Sequence, residues 1–531
     1  MVCGLGCKEA LPRHQRLRLL LTNGRFPVSL DLARQLRKAG HQVFVVDPME
    51  YHVCAFSIKV KSSMQVSAPH DDAKGYVQGV LTAIEKWQID QIIPIHEEIF
   101  YLAECGEPAI LERLFAPPFE LLVRLHNKWE FTKMMQRLGM DVPEAQLCTN
   151  YGDVESLNLE KYKHGMALKP CFGRACTGVH HLEISEPLPE CNELNIGHHN
   201  HYIAQEWTKG TRYCTYSVVR DGRVEATSLY PVTDTIDGSS CVYFKQKYHE
   251  GIYNYILEFV RRCSEIHGPF SGQLAFDFVE DLENNRLVTI ECNPRSTSGI
   301  HLWTRTPYLA YVLTNSLPDV GHEEKPIQPP PTHIWHGPSH AQVAAGMIMW
   351  EHRDATLSVW AHHMARLVGA RDVVWAWRDP MPVIAEPFLL TTYFTMARKA
   401  GLQLPELFQH QVLWEPQGTH LEQVRKIIED ADARDEEKAR RISNELETVM
   451  TSQTDAIAPC GPISDDVGSA PEKMPGYFTG EESPVLDRKT SQPDVPSLNS
   501  GTMRDSAVSE TSIQVPAQQA VDNVAAEKHH E

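Results

Sequence analysis

The chain has 531 residues, 42% of them hydrophobic, and a net charge of -19. That length accommodates two or three domains, each with its own core. The acidic balance argues against a general nucleic-acid binder or a protein drawn to anionic membranes, and leaves room for a local basic site that takes phosphate.

Thirteen cysteines, scattered without C-x-x-C pairs, have the pattern of reduced thiols; Cys214, Cys263 and Cys292 sit inside apolar runs, and a cytoplasmic protein is expected. The mostly apolar stretch 17–21 is too short to span a membrane and reads as a strand. From there to about residue 115, strand-like and helix-like stretches alternate: a helix over 29–39 closed by Gly40, a strand over 42–47, a loop, a helix over 73–87 and a strand over 89–95. This order implies a parallel sheet with crossover helices. The first turn, Thr22-Asn23-Gly24-Arg25-Phe26-Pro27, lacks G-x-G-x-x-G, so a dinucleotide is not expected there. Glu97 and Glu98 follow the last strand at the carboxyl end of the sheet, placed either to meet a substrate ammonium or to open a solvated helix.

The next segment opens at Pro117-Pro118 and is mixed α+β. A helix over 128–138 stops at Gly139, strands follow at 166–169, 202–205 and 213–220, and a helix over 251–266 leads into a strand pair, 273–279 and 287–291, turned by Asn284-Asn285. The stretch 321–331, rich in proline and charge, reads as a linker. Helices near 341–350, 357–368 and 387–400, with a strand over 372–377, suggest a small C-terminal domain or a lid. A charged helix over 421–449 carries one apolar stripe, Leu421, Val424, Ile427 and Ile428. Beyond 451 the chain is polar, carries -8 of the total charge and lacks the apolar content to offset its own entropy, so disorder is expected. The Trp and His residues of that small C-terminal domain read as packing and surface groups rather than a metal site, and the pairs His180-His181, His198-His199 and His362-His363 are adjacent rather than spaced to aim two imidazoles at one ion, so zinc is not expected.

The chemistry concentrates at 268–299. Asp277 stands near the end of one strand, and Glu291-Cys-Asn293-Pro-Arg295 on its hairpin partner. Alternation puts Glu291 and Asn293 on one face, where Asp277 can join them. Three oxygen donors of this kind suit Mg²⁺, or Mn²⁺ in its place, and Arg295 would face a phosphate. A polar hairpin end with a turn at Asn-Pro is the plain alternative.

Asp277, Glu291, Asn293 and Arg295 resemble the metal-binding end of ATP-grasp ligases, and the spacing is similar to the carbamoyl-phosphate synthase and amino-acid ligase branches. Three further pieces occur in the family's order. Lys128, at the head of a helix, and Lys169, at a strand end in Met-Ala-Leu-Lys-Pro, resemble the nucleotide-contacting lysines. Cys171-Phe-Gly173-Arg174-Ala-Cys-Thr177-Gly178 resembles the glycine-containing phosphate loop, and Gln205-Glu206-Trp207 the hinge strand that holds adenine. One departure is Arg212, at a position where the family often has an acid.

The resemblance covers about residues 15–310. It implies a Rossmann-like pre-ATP-grasp domain at 15–115 and an ATP-grasp domain at 116–320. A C-terminal α/β domain or lid at 333–418, a charged helix at 419–450 and a disordered tail at 451–531 would follow. It further implies ATP and Mg²⁺ as cofactors, with ATP held by Lys128, Lys169, Gly173, Arg174, Thr177, Gly178, Gln205, Glu206 and Trp207. The metal would be held by Asp277, Glu291 and Asn293, with Lys169 and Arg295 as catalytic charges. The expected reaction is activation of a carboxylate as an acylphosphate for attack by an amine, with ADP and phosphate released. Partners would be small-molecule acids and amines, with no nucleic acid or membrane, and a homodimer is compatible with this. Stand-alone ligases of fungal specialised metabolism are similar. Carboxyphosphate chemistry is the first alternative, although the chain has a single nucleotide module and no biotinyl signature. A catalytically silent nucleotide-binding regulator is the second.

Overall fold

The computed structural model describes residues 11–173, 178–236, 240–304, 306–316, 326–329, 339–349, 356–402, 407 and 410–455. The fold is mixed α/β. Strands β1 (Arg18–Leu21), β2 (Gln42–Asp47), β3 (Val60–Gln65) and β4 (Gln91–Ile93) make a parallel sheet in the order β3-β2-β1-β4. Side chains alternate across it. Leu19, Leu21, Val43 and Val45 share a core with Leu30, Leu32 and Leu36 of the helix Pro27–Ala39. Leu20, Phe44, Val46 and Ile92 share another with Tyr76, Val80 and Ala83 of the helix Ala73–Trp87. Strands covered on both faces need continuous apolar runs, which is why β1 and β2 are legible in the sequence. The segment expected as a loop after β2 contains β3, an edge strand whose residues are half-buried or exposed; a strand so little covered needs no apolar periodicity. β4 is shorter than the expected 89–95, because Pro94 has no N–H to continue the ladder.

An antiparallel sheet follows in the order β5-β8-β6-β7, from β5 (Ala145–Cys148), β6 (Met166–Pro170), β7 (His180–Leu182) and β8 (Tyr202–Glu206). A second antiparallel sheet, β10-β9-β14-β15, contains β9 (Thr211–Arg220), β10 (Arg223–Pro231), β14 (Gly272–Asp281) and β15 (Arg286–Asn293). Its Leu274, Phe276, Phe278 and Cys292 pack on Ile256, Phe259 and Val260 of the helix Glu250–His267 and on Phe131 of the helix Lys128–Arg137. Between them in the chain lie a two-stranded ribbon, β11 (Thr235–Ile236) with β12 (Ser240–Cys241), and β13 (Tyr243–Lys245).

The C-terminal segment departs from expectation in three places. Where a helix was expected over 341–350, β16 (His340–Gln342) pairs with β13, and a helix follows only at Ala344–Ile348. A short apolar run has no decisive period, and the available edge of β13 decides it. The strand expected over 372–377 shrinks to β17 (Arg371–Asp372), since the Asp372 carboxylate accepts the Val374 and Trp375 N–H groups and turns the chain. The helix expected from Pro387 begins at Met381 and carries Pro387 inside it. Its Ala385, Leu389, Tyr393 and Ala397 share a core with Val53 and Cys54 of the N-terminal region. Arg34 reinforces the junction, donating to Asp379 at 2.9 Å and to the Val373 and Val374 carbonyls.

The charged helix runs Gly418–Asp455, longer than the expected 421–449, and buries Leu421, Val424 and Ile428. Arg124, itself buried, holds it through Asp432 and Asp435. The expected linker at 321–331 lies mostly outside the described residues, as does the expected tail after 455.

His41 ties the first sheet to the helix Tyr308–Leu313 region. Its Nδ1 accepts the Leu17 N–H at 3.1 Å, and Nε2 lies 3.3 Å from the Thr314 hydroxyl. Burial, and then Arg16, pushes its pKa from 6.5 down to about 4. An imidazole held neutral in the fold contributes its full stability above the unfolded pKa of ~6.5, and that contribution drains away as pH falls toward 4. We therefore expect the thermal midpoint to fall across that window, and to fall less steeply in His41→Asn, as differential scanning calorimetry at stepped pH would record.

Candidate functional site

The site is built where β14 and β15 end. From the turn, the hairpin register runs Asp281 opposite Arg286 down to Phe278 opposite Thr289. Continued without a break, it would set Asp277 opposite Ile290 and turn Glu291 to the other face. Instead the register shifts between Asp277 and Phe278, so that Asp277 faces Glu291 and Ala275 faces Asn293. Ile290 is the extra residue of a β-bulge, and it brings both carboxylates and the amide to one face. Asn293 Nδ2 lies 3.4 Å from Glu291 Oε1, and its Oδ1 accepts from Arg295 Nη2 at 2.9 Å.

Two lysines converge on these acids. Asn127 caps the helix Lys128–Arg137 by accepting the Trp129 and Glu130 N–H groups, which sets Lys128 at its first position. A cation at a helix N-terminus opposes the helix dipole and needs compensation elsewhere. Lys128 Nζ finds it in the Gly173 carbonyl at 2.7 Å and in Glu291 at 4.0 Å. Lys169, on β6 and 6% exposed, lies 3.5 Å from the carbonyl of the bulged Ile290.

The charges interact strongly. Burial raises the Asp277 pKa, and the adjoining Glu291 raises it further. Burial would raise Glu291 too, but Lys128 and Lys169 outweigh it and hold that carboxyl low. Without a cation, the pair therefore favours one charge and one proton. Arg212, on the exposed part of β9, lies on the same face and favours the Asp277 anion.

Of the phosphate-loop residues, Gly173 and Gly178 both have positive φ, 150° and 67°, which suits glycine. Arg174 and Thr177 lie outside the described residues. The hinge differs from expectation in its side chains. Glu206 is committed to Arg286 at 2.9 Å, and Trp207 stacks on His181 with ring centroids 3.9 Å apart. Gln205 is buried on β8 between β5 and β6.

Glu98 does not open a solvated helix. Fully buried, its Oε1 accepts from the Thr22 hydroxyl and from the Ile95 and His96 N–H groups. Glu97 is equally buried and accepts the Trp414 N–H at 3.2 Å. Sequence reasoning missed His126 and Trp414. Burial, then Lys128 and Arg295, push the His126 pKa down to about 4, so it is a neutral imidazole between Glu97 and the lysine. Its position two residues before Lys128 was the available signal. Trp414 had none, since it arrives from 286 residues downstream of Lys128 in a segment with no motif. A surface depression of about 490 Å³ beside the Asn284-Asn285 turn holds none of these groups.

No family model and no curated protein matches the chain. Among solved structures, it is similar to an L-amino acid ligase from Bacillus licheniformis, at 15% identity over 59% of this chain and 75% of that one, with a TM-score of 0.45. An N5-carboxyaminoimidazole synthetase from Staphylococcus aureus is similar at 16% identity, covering 57% and 78%, with a TM-score of 0.44. So is a biotin carboxylase from Campylobacter jejuni in complex with β-γ-ATP, at 15% identity, 60% and 75% coverage and a TM-score of 0.47.

Proposed function

We propose that the chain is an ATP-dependent ligase of the ATP-grasp type, which activates a carboxylate as an acylphosphate and joins it to an amine. The observation that carries this reading is the bulge at Ile290. It presents Asp277, Glu291 and Asn293 together, with Lys128, Lys169 and Arg295 around them.

The donor set fits Mg²⁺. Two adjoining carboxylates, one of them pushed toward its neutral form by burial and by the other, are relieved by a hard divalent cation, and the Asn293 oxygen completes a set of the type Mg²⁺ accepts. Bound there, Mg²⁺ would neutralise phosphate charge. The buried Arg295 Nε has no hydrogen-bond partner among the described residues, leaving a donor for an oxyanion. Lys128 and Lys169 supply the remaining positive charge.

In the reaction, a substrate carboxylate oxygen bonds to the γ-phosphorus of ATP as the bond to ADP breaks. The amine nitrogen then bonds to the acyl carbon, phosphate departs and the amine loses a proton. The protein's part is positioning and electrostatic stabilisation. Gly173 and Gly178, both at positive φ, leave the backbone open to close approach by a phosphate.

The direct test offers ATP, Mg²⁺ and pooled amino acids to the full chain and follows products by mass spectrometry, with hydroxylamine as an acyl trap. ADP, phosphate and a hydroxamate are expected. AMP and pyrophosphate would overturn the acylphosphate route.

The acidic pair carries a stability cost. Asp277→Asn keeps the shape and removes the carboxyl that burial and Glu291 push toward its neutral form, and with it the cost of charging or protonating that group, and should raise the thermal midpoint of the Mg²⁺-free chain by a few degrees. It should also lower turnover. Calorimetry with and without Mg²⁺ checks the first effect; an unchanged or lowered midpoint counts against the charge conflict.

A further inference from the structure

Outside this site, residues from two distant parts of the chain meet at the carboxyl end of the parallel sheet. His70 and Asp71 lie in a turn before the helix Ala73–Trp87, and His410 begins the segment that leads to Trp414. One ligand atom from each of the three lies within 4.8 Å of the others, and the two imidazole centroids are 4.5 Å apart. Both histidines are half-buried and Asp71 is exposed. We infer that His70, Asp71 and His410 form a site for a divalent transition-metal ion, zinc before others, which staples the 410–415 segment to the N-terminal sheet.

The donor chemistry selects the ion. Two imidazoles and one carboxylate suit zinc and disfavour Mg²⁺, which takes oxygen. Tetrahedral zinc wants its ligand atoms ~3.3 Å apart, so the side chains must close by up to about 1.5 Å. Half-buried side chains at a turn and at the start of a strap have that freedom. Three protein ligands leave the fourth position to water.

The strap gives the staple a consequence. Its backbone is tied down at three places: the Gln411 carbonyl accepts from the His70 N–H at 3.3 Å, the Leu413 carbonyl from the Tyr101 hydroxyl at 2.7 Å, and the Trp414 N–H donates to Glu97 at 3.2 Å. The Gln411 side chain also accepts from Arg25 at 2.8 Å. The strap delivers Trp414, 1% exposed, against Phe100, His126 and Phe172, with centroids at 4.6, 6.4 and 5.7 Å. Phe172 adjoins Gly173, whose carbonyl holds Lys128. The metal thus fixes one wall of the candidate site from outside it. This inference does not depend on the ligase reading.

The test uses the full chain, stripped with chelator and titrated with zinc chloride, with no nucleotide present. Calorimetric titration should show a site that weakens at least about 100-fold in His70→Ala/His410→Ala, while His198→Ala/His199→Ala retains it. Cobalt in place of zinc should give the visible bands of a four-coordinate ion. Hydrogen exchange should slow at the 411–415 amides when zinc is added to the parent chain and stay fast in the double variant. Asp71→Asn, a conservative change at an exposed side chain, gives an intermediate loss and serves if the double variant fails to fold. Equal zinc affinity in the parent and in the histidine or asparagine variants would overturn the proposal, as would zinc binding that leaves exchange at 411–415 unchanged.

Discussion

Glu291→Gln is expected to lower Mg²⁺-dependent ADP release by about 10²–10³-fold at saturating ATP, the loss typical of removing one preorganised electrostatic group from a reacting site. Glu291 is the acid on which the local charges converge: Lys128 lies 4.0 Å away, Asp277 stands opposite, and Asn293 reaches back to it at 3.4 Å. Glutamine keeps the shape and one oxygen, so the hairpin and its bulge should persist. What disappears is the full negative charge that, on the proposed reading, holds the metal and balances the lysines. The lost activity should return in part at raised Mg²⁺, as a role in holding the ion requires and a purely structural role does not. ADP release measured across an Mg²⁺ series, beside a thermal melt of each protein, separates the two. Turnover within threefold of the parent chain would falsify the metal role.

Arg25→Met should destabilise the chain by about 3–5 kcal/mol, because it strands a buried carboxylate. Arg25 and Asp47 are both fully buried, with Nη2 2.6 Å from Oδ1 and Nε 3.1 Å from the same oxygen. Asp47 also accepts the Gly24, Arg25 and Met49 N–H groups, so it organises the first turn of the sheet as well as the ion pair. Burial raises its pKa; Arg25, with the other groups around it, more than reverses this and keeps the carboxylate charged. Without Arg25, the fold must carry an unpaired charge or protonate it. Replacing both residues, as Arg25→Met with Asp47→Asn, should recover part of the loss, since no charge is then stranded. Urea unfolding of the two single variants and the double would measure the coupling. A loss below 1 kcal/mol for Arg25→Met would show that this pair does not hold the turn.

The turn that Arg25 and Asp47 occupy shows how a local reading meets its limit. Its sequence argued against a dinucleotide loop through missing glycines. The structure adds the physical content: a Cβ on Gly24 would come within 2.4 Å of the His52 ring, and the ion pair fills the strand ends. Nothing in the six turn residues could have named Asp47 as the partner.

Much of the secondary structure was legible because it follows from neighbours in sequence. The runs at β1 and β2, the Gly40 stop and the Gly139 stop each act within a few residues. β3 was not legible, as an edge strand needs only a partner. The same holds for β16, which a helix-like apolar run concealed until β13 offered it an edge.

The candidate site divides in the same way. Residue types, and their order from Lys128 through Lys169 to Glu291 and Arg295, could be read directly, because the chemistry of phosphate and metal limits which side chains serve. Their convergence could not. Alternation put Glu291 with Asn293, but only the bulge at Ile290 puts Asp277 with both, and a bulge arises from the competing demands of the two strands' packing. Likewise, Glu206 and Trp207 turned to Arg286 and His181, partners supplied by the fold. By itself, then, the sequence determined the elements whose causes are local and the kinds of atoms available for chemistry. Only the tertiary structure decided which atoms face one another, and which distant segment brings Trp414 against His126 and Phe172. Those contacts depend on register and chain crossing, which carry no signature in any single stretch.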